Sequence, residues 1–136
     1  MPKFKDPSPY IDEIETFQGN TVFEDVYITG DLYYDDSDRL HTNSVQNLIG
    51  PGAINLTDTV TFITTTGADA YTLADGIEGQ LKILIMKVDG GDGTITPDNL
   101  VGWTSIRFNN VHDNVQLLYG STGWNIIALQ NATKIS

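Results

Sequence analysis

The residues best suited to chemistry lie in stretches that are rich in turn formers. Asp89, Asp92 and Asp98 bracket the segment DGGDGTITPD, and His41 and His112 lie far apart, each among polar residues. Loops of this composition can supply the several oxygen ligands that calcium requires. The segment matches neither the EF-hand pattern nor the nonapeptide calcium repeat, and ordinary turns also select Asp and Gly. We therefore predict no metal site and no cofactor.

Catalytic side chains are present without a catalytic arrangement. The chain has no cysteine, which excludes thiol nucleophiles, thiolate metal sites and disulfides. No serine lies in a G-x-S-x-G elbow, and nothing pairs a serine with a histidine. Two carboxylates across a cleft can cleave a glycoside, but a chain with 18 acidic residues contains many such pairs by chance. We predict no catalytic residues and a protein that is not an enzyme. A small β-sandwich lyase or hydrolase is the lowest-ranked alternative.

The charge balance limits the possible partners. The net charge is −11, and the seven Lys and Arg residues are scattered rather than grouped in a basic stripe. Such a surface does not neutralise nucleic-acid phosphates, and it repels anionic lipid. No apolar run approaches the roughly 18 residues of a membrane span. We therefore predict no nucleic-acid partner and no membrane association.

The hydrophobic pattern predicts an all-β fold. An almost unbroken apolar run at residues 81–88 is followed by shorter runs at 103–108, 115–119 and 124–129, with Gly-, Asn- and Asp-rich turns between them. These features predict a small antiparallel β-sandwich or β-barrel-like domain. The pattern also suggests a short helical segment at residues 42–49, ended by Gly50, Pro51 and Gly52.

Three regions follow from the composition along the chain. Pro2, Pro7 and Pro9 restrict the backbone at the start, so residues 1–16 are predicted to form an extended N-terminal arm. Residues 17–52 are predicted to contain short β-strands and a linker. Residues 53–136 are predicted to form the C-terminal antiparallel β domain.

The apolar run at residues 81–88 carries large side chains on both of its faces. By alternation, Leu81, Ile83 and Ile85 share one face, and Leu84, Met86 and Val88 share the other, next to Lys82. A strand that is solvated on one face alternates apolar and polar residues. This strand is therefore predicted to be covered on both faces, the second cover being another sheet or a neighbouring subunit.

Aromatic residues offer one route to a small ligand. Trp103 and Trp124 recur near predicted strand starts, beside polar loops, and an exposed indole can stack on a sugar ring. Core packing is the other role of such residues. Trp103 and Trp124 are the candidate glycan-facing residues.

Two stretches resemble structural proteins of bacteriophages, particularly marine phages. Residues 19–35 contain Val26, Ile28, Gly30 and Leu32 as V-x-I-x-G-x-L, which resembles the short repeats that precede trimeric fibre and decoration modules. Residues 79–129, with a GDGTITP turn and a closing GW-hydrophobic strand, resemble small β-rich modules at virion surfaces. The chain has at most one such repeat, which favours a compact decoration or knob protein over a long fibre.

The resemblance implies a homotrimeric capsid decoration protein on the capsid surface of the virion, bound to the major capsid protein through its N-terminal arm. The alternative is a short fibre or tail knob that binds a host surface glycan. The arm residues expected to contact the capsid are Pro2, Phe4, Pro7, Pro9, Tyr10, Ile11, Ile14 and Phe17. The residues expected at the trimer interface are Val26, Ile28, Leu32, Leu84, Met86 and Val88.

Overall fold

The computed structural model describes residues 45–136, which fall within one compact unit, Leu40–Ser136. This part of the chain contains ten strands and no helix. The strands are β1 (Val45–Ile49), β2 (Gly52–Ile54), β3 (Val60–Thr64), β4 (Asp69–Leu73), β5 (Leu81–Val88), β6 (Gly93–Pro97), β7 (Ser105–Phe108), β8 (Asn114–Gly120), β9 (Gly123–Gln130) and β10 (Thr133–Ile135).

The strands form two five-stranded sheets with a shared core. Sheet A has the order β1-β3-β5-β8-β9, and sheet B has the order β10-β7-β6-β4-β2. Up to β6 the chain alternates between the sheets, so β1, β3 and β5 are neighbours in sheet A, and β2, β4 and β6 are neighbours in sheet B. Each pair of consecutive strands, β1–β2, β3–β4 and β5–β6, forms one rung of a flattened coil.

The all-β class predicted from the sequence is confirmed, but the strand pairing is mixed rather than antiparallel. Stacking of the rungs makes β1, β3 and β5 parallel to one another, and likewise β2, β4 and β6. Antiparallel pairing is confined to β5 with β8, β8 with β9, β6 with β7, and β7 with β10. The glycine-containing turns of the rungs carry the chain across to the other sheet instead of joining antiparallel neighbours within one sheet.

The predicted helix at residues 42–49 is wrong over its described part. Residues Val45–Ile49 form strand β1, which pairs in parallel with β3. Helix propensity is a weak local preference, and the hydrogen bonds and packing offered by a neighbouring strand override it. Sheet A therefore draws on residues that precede position 53 as well as on those that follow it.

Close stacking of the rung turns explains the glycines at residues 90 and 91. A Cβ atom at Gly90 would lie 2.3 Å from the Thr65 carbonyl oxygen, and one at Gly91 would lie 2.6 Å from the Gly67 backbone. Gly91 also has a φ of +148°, which residues other than glycine rarely adopt. The Gly90 N–H donates to Thr65 Oγ1 at 2.8 Å, which joins the two turns. The turns therefore need glycine in order to stack.

The core lies between the two sheets. Sheet A contributes Ile63, Leu84, Met86, Val115, Leu117 and Trp124, and sheet B contributes Tyr71, Leu73, Ile95, Ile106 and Phe108, all of them buried. Each strand presents every second side chain to this core, as the period of two requires. The other side chains form the two outer faces of the sandwich.

Candidate functional site

The outer face of sheet A is the most unusual surface in the described part of the molecule. Its apolar side chains range from half-buried to largely exposed; Ile49 is 71% exposed and Ile127 is 52% exposed. They are Val45, Ile49, Val60, Phe62, Leu81, Ile83, Ile85, Val88, Leu118 and Ile127. No other strand of residues 45–136 covers them.

The strand register arranges these side chains in continuous rows. One row runs from Val45 through Val60 and Ile83 to Gln116, across four strands. Cross-strand neighbours on the same face have Cβ atoms about 4.5–5.5 Å apart, so the side chains in a row lie side by side. A second row joins Asn47, Phe62 and Ile85. The outer face of sheet A is therefore a continuous, mainly apolar surface rather than a set of isolated apolar residues.

Sheet B provides an internal comparison. Its outer face carries mainly hydroxyl and small side chains, in rows such as Ala70, Thr94, Arg107 and Thr133. This is the apolar-inside, polar-outside alternation expected of a sheet with one solvated face. Sheet A departs from that alternation. Its outer face therefore has the composition of a covered surface rather than a solvated one.

Charge distinguishes the outer face of sheet A further. The chain has 18 acidic residues, yet none of the side chains that form this face is a carboxylate. Within residues 45–136, the cation beside this face is Lys87, which lies over the Phe62 ring with Nζ 5.9 Å from the centroid. Two copies of a protein with a net charge of −11 repel each other over most of their surfaces. They can approach through this face without opposing carboxylates.

Two of the interface residues predicted on β5 are wrong. Leu84 and Met86 are fully buried between the two sheets, so they hold the fold together and are not accessible to another subunit. The opposite side of the strand, with Ile83 and Ile85, carries the surface. Strand β5 is therefore covered on one face by sheet B, and no strand of residues 45–136 covers its other face.

Val88, the third predicted interface residue on β5, lies at the surface for a reason that alternation misses. The register of β5 against β3 shifts between Ile63 and Thr64, so Thr64 pairs with Val88 and Lys87 is the extra residue. This bulge places Val88, which is 47% exposed, on the outer face of sheet A. Whether Val88 contacts another subunit stays a prediction.

Lys82 lies on the inner face of β5, although lysine is usually a surface residue. It shares the inner face with Leu84 and Met86 and is fully buried. Its ammonium donates to the Asp58 carbonyl oxygen and, at 3.2 Å, to Thr61 Oγ1. Burial lowers the pKa of Lys82 to about 8, and the nearby Asp58 charge opposes part of that shift. The lysine therefore does not mark a solvated face.

The pKa of Lys82 predicts a rise in stability at alkaline pH. Between about pH 8 and the ordinary lysine value of 10.5, the unfolded chain holds a proton that the folded chain has released. The free energy of unfolding is therefore expected to increase over this range by about 1–3 kcal/mol. Urea titrations of the wild type and of Lys82→Met at several pH values measure this. A rise of equal size in Lys82→Met would contradict the assignment.

The two tryptophans have different environments. Trp124, a candidate glycan-facing residue, is fully buried; its Nε1–H donates to the Ala74 carbonyl oxygen at 3.0 Å, and its ring packs edge-on against Tyr119. A sugar cannot reach it, so that assignment is wrong. Trp103 is 39% exposed, with Lys134 Nζ 4.5 Å from the ring centroid. Glycan binding at Trp103 stays a prediction.

Several predicted site residues lie outside the described residues. These are the capsid-binding residues Pro2, Phe4, Pro7, Pro9, Tyr10, Ile11, Ile14 and Phe17, and the interface residues Val26, Ile28 and Leu32. Their assignments stay predictions. The structure shows four further apolar residues on the outer face of sheet A that were not predicted as site residues. They are Phe62, Ile83, Ile85 and Leu118, and their outward positions follow from the strand register.

The described residues also limit other kinds of site. Within residues 45–136, no three His, Asp or Glu side chains lie close enough to share a metal ion. His112 is exposed, whereas Asp113 is fully buried and accepts hydrogen bonds from the N–H groups of Asn109 and Asn110, at 2.7 and 3.0 Å, which shapes the β7–β8 loop. No helix in this range is long and apolar enough to cross a membrane.

Comparisons with known proteins leave the fold and its outer faces as the basis for inference. No protein-family model matches the chain, and no curated protein matches it significantly in sequence.

Proposed function

We propose that the chain is a structural protein of a virus particle, a capsid decoration protein that assembles as a homotrimer through the outer face of sheet A. Its N-terminal segment, residues 1–17, contacts the major capsid protein. The protein stabilises the shell through non-covalent contact area and performs no reaction. The observation that carries the proposal is the apolar, carboxylate-free outer face of sheet A.

Contact area is what such a surface supplies. Monomeric soluble proteins rarely expose contiguous apolar patches larger than a few hundred Å², and larger patches mark contact surfaces. Ten apolar residues on five adjoining strands form the patch here. Removing them from water gives the hydrophobic stabilisation that holds subunits together, roughly 25 cal/mol for each Å² of apolar area. A rigid sheet also loses little conformational entropy on binding.

The trimeric state and the virion location come from the resemblance of residues 19–35 and 79–129 to phage decoration and fibre modules. The physical features agree with that role in three ways. The outer face of sheet A favours self-association, the acidic surface elsewhere suppresses non-specific contacts, and closed symmetric assembly is the usual way of covering one repeated surface.

Deleting residues 1–16 is expected to abolish capsid attachment without affecting assembly of the trimer. Because the proposed trimer contacts of the described residues lie on sheet A, the truncated protein is expected to remain a trimer. It is expected to lose binding to capsids, because the residues that contact the coat are gone. Sedimentation of the protein with purified particles measures attachment, and immunogold labelling locates the full-length protein on the virion. Undiminished capsid binding by the truncated protein would overturn the proposed attachment.

A further inference from the structure

The four sheet edges of the described domain differ in how well they are protected. An unprotected edge strand exposes a row of unpaired N–H and C=O groups to any other chain that can pair with it. Strands β1, β9, β2 and β10 form these edges. Three of them are covered, shortened or charged.

The β9 edge is covered at Trp124 by a neighbouring segment, and a bulge at Ile127 interrupts its regular backbone further along. The Trp124 N–H donates to the Asn99 carbonyl oxygen at 2.7 Å, and the Val101 N–H donates to the Trp124 carbonyl oxygen at 2.9 Å. The β10 edge is only three residues long and carries Lys134, a residue type that disfavours edge pairing.

At the β2 edge, a side chain forms hydrogen bonds with the exposed backbone groups. The Gln46 amide donates to the Ala53 carbonyl oxygen at 3.1 Å and accepts from the Asn55 N–H at 3.0 Å. It thereby occupies the positions that a neighbouring strand would take.

Strand β1 has no such protection within the described residues. Its five residues, VQNLI, contain no charge and no proline, and the ladder to β3 has no bulge beside them. The Gly50 N–H donates to the Thr64 carbonyl oxygen, and bonds of a parallel ladder recur at every second residue. The N–H groups of Asn47 and Ile49 therefore point away from β3, toward the free edge.

We propose that the free edge of β1 pairs with the same edge of a second copy of this chain, in antiparallel register about a two-fold axis at Asn47. This register places each Asn47 opposite its symmetry mate and each Val45 opposite the second copy's Ile49. On the outer face the strand reads apolar, polar, apolar, so self-pairing matches apolar with apolar and amide with amide.

The absence of charge along this edge favours a second copy of the chain over an acidic or a cationic partner. No charged residue occurs between positions 45 and 57, so the pairing brings no carboxylates together in a protein with a net charge of −11. Pairing also extends sheet A across the two copies and joins their apolar outer faces into one surface. The inference does not depend on the proposed trimer, which involves the outer face of sheet A rather than its edge.

Single cysteines test the register directly, because the chain has no cysteine of its own. In a hydrogen-bonded antiparallel pair, opposite Cα atoms lie about 5.5 Å apart, which is within disulfide range. Full-length Asn47→Cys is therefore expected to form a covalent dimer under mild oxidation. Ile49→Cys is the matched control, since the two copies of Ile49 lie about 13 Å apart in this register, at about 3.3 Å per residue.

The two oxidation rates decide the outcome. We expect Asn47→Cys to dimerise at least about tenfold faster than Ile49→Cys, because paired thiols are held at a high effective concentration. Non-reducing gel electrophoresis over time measures both rates. Equal rates, or no cross-linking of Asn47→Cys, would overturn the edge pairing and would leave the trimer untouched. Loss of the trimer in Ile85→Glu with continued cross-linking at position 47 would separate the two contacts.

Discussion

Replacing Ile85 by glutamate in the full-length chain is expected to reduce the mass of the assembly to one third while leaving each subunit folded. Ile85 lies near the centre of the outer face of sheet A, between Phe62 and the start of β8. A carboxylate there would be buried without a partner in the assembled state, at a cost of about 3 kcal/mol or more. That cost corresponds to a loss of about a hundredfold or more in affinity. Analytical ultracentrifugation measures the mass, and circular dichroism checks the fold.

Thr72→Glu is the matched control for this variant. Thr72 is an exposed residue on the outer face of sheet B, so the same charge is added to the opposite side of the sandwich. Its assembly is expected to keep the wild-type mass. If Ile85→Glu also kept that mass, or if both variants lost it, the outer face of sheet A would not be the contact surface.

Truncating Leu84 is expected to cost stability rather than assembly. The Leu84 side chain is fully buried between the sheets, and Leu→Ala at such sites removes about 2–5 kcal/mol from the free energy of unfolding. Folded Leu84→Ala is expected to assemble as the wild type does. Because assembly contributes to apparent stability, the unfolding measurements are best made in the Ile85→Glu background.

Ile83→Ala is the control from the next position of the same strand. Ile83 faces outward, so in the Ile85→Glu background its truncation is expected to change the free energy of unfolding by less than about 1 kcal/mol. Chemical denaturation of the two alanine variants gives the comparison directly. Equal destabilisation would mean that both faces of β5 are packed within one subunit, which would contradict the open outer face.

The strands were readable from the sequence, but their pairing was not. Runs of β-branched and apolar residues between Gly and Asp correctly predict an all-β domain with β5, β8 and β9 near their observed positions. The same turns fit an in-plane hairpin and a crossing to the opposite sheet equally well. What selects the crossing is the stacking of one turn on the next, as at Gly90 over Thr65, and that contact is invisible in a local pattern.

The sequence predicted which residues of β5 share a face, but it did not predict which face lies at the surface. Alternation correctly separates Ile83 and Ile85 from Leu84 and Met86, but it does not say which pair faces the core. Lys82 pointed to the wrong answer, because a lysine usually marks the solvated face and this one is buried against Thr61 and the Asp58 carbonyl. The position of Val88 depends on a bulge that no periodicity shows.

Hydroxyl-radical footprinting of Phe62 tests most directly whether another chain covers the outer face of sheet A. The full-length wild type and Ile85→Glu would be labelled side by side, with the exposed Trp103 as the internal reference. We predict that Phe62 is protected in the wild-type assembly and becomes labelled in Ile85→Glu, while labelling of Trp103 is the same in both. Equal labelling of Phe62 in the two proteins would contradict an assembly built on this face.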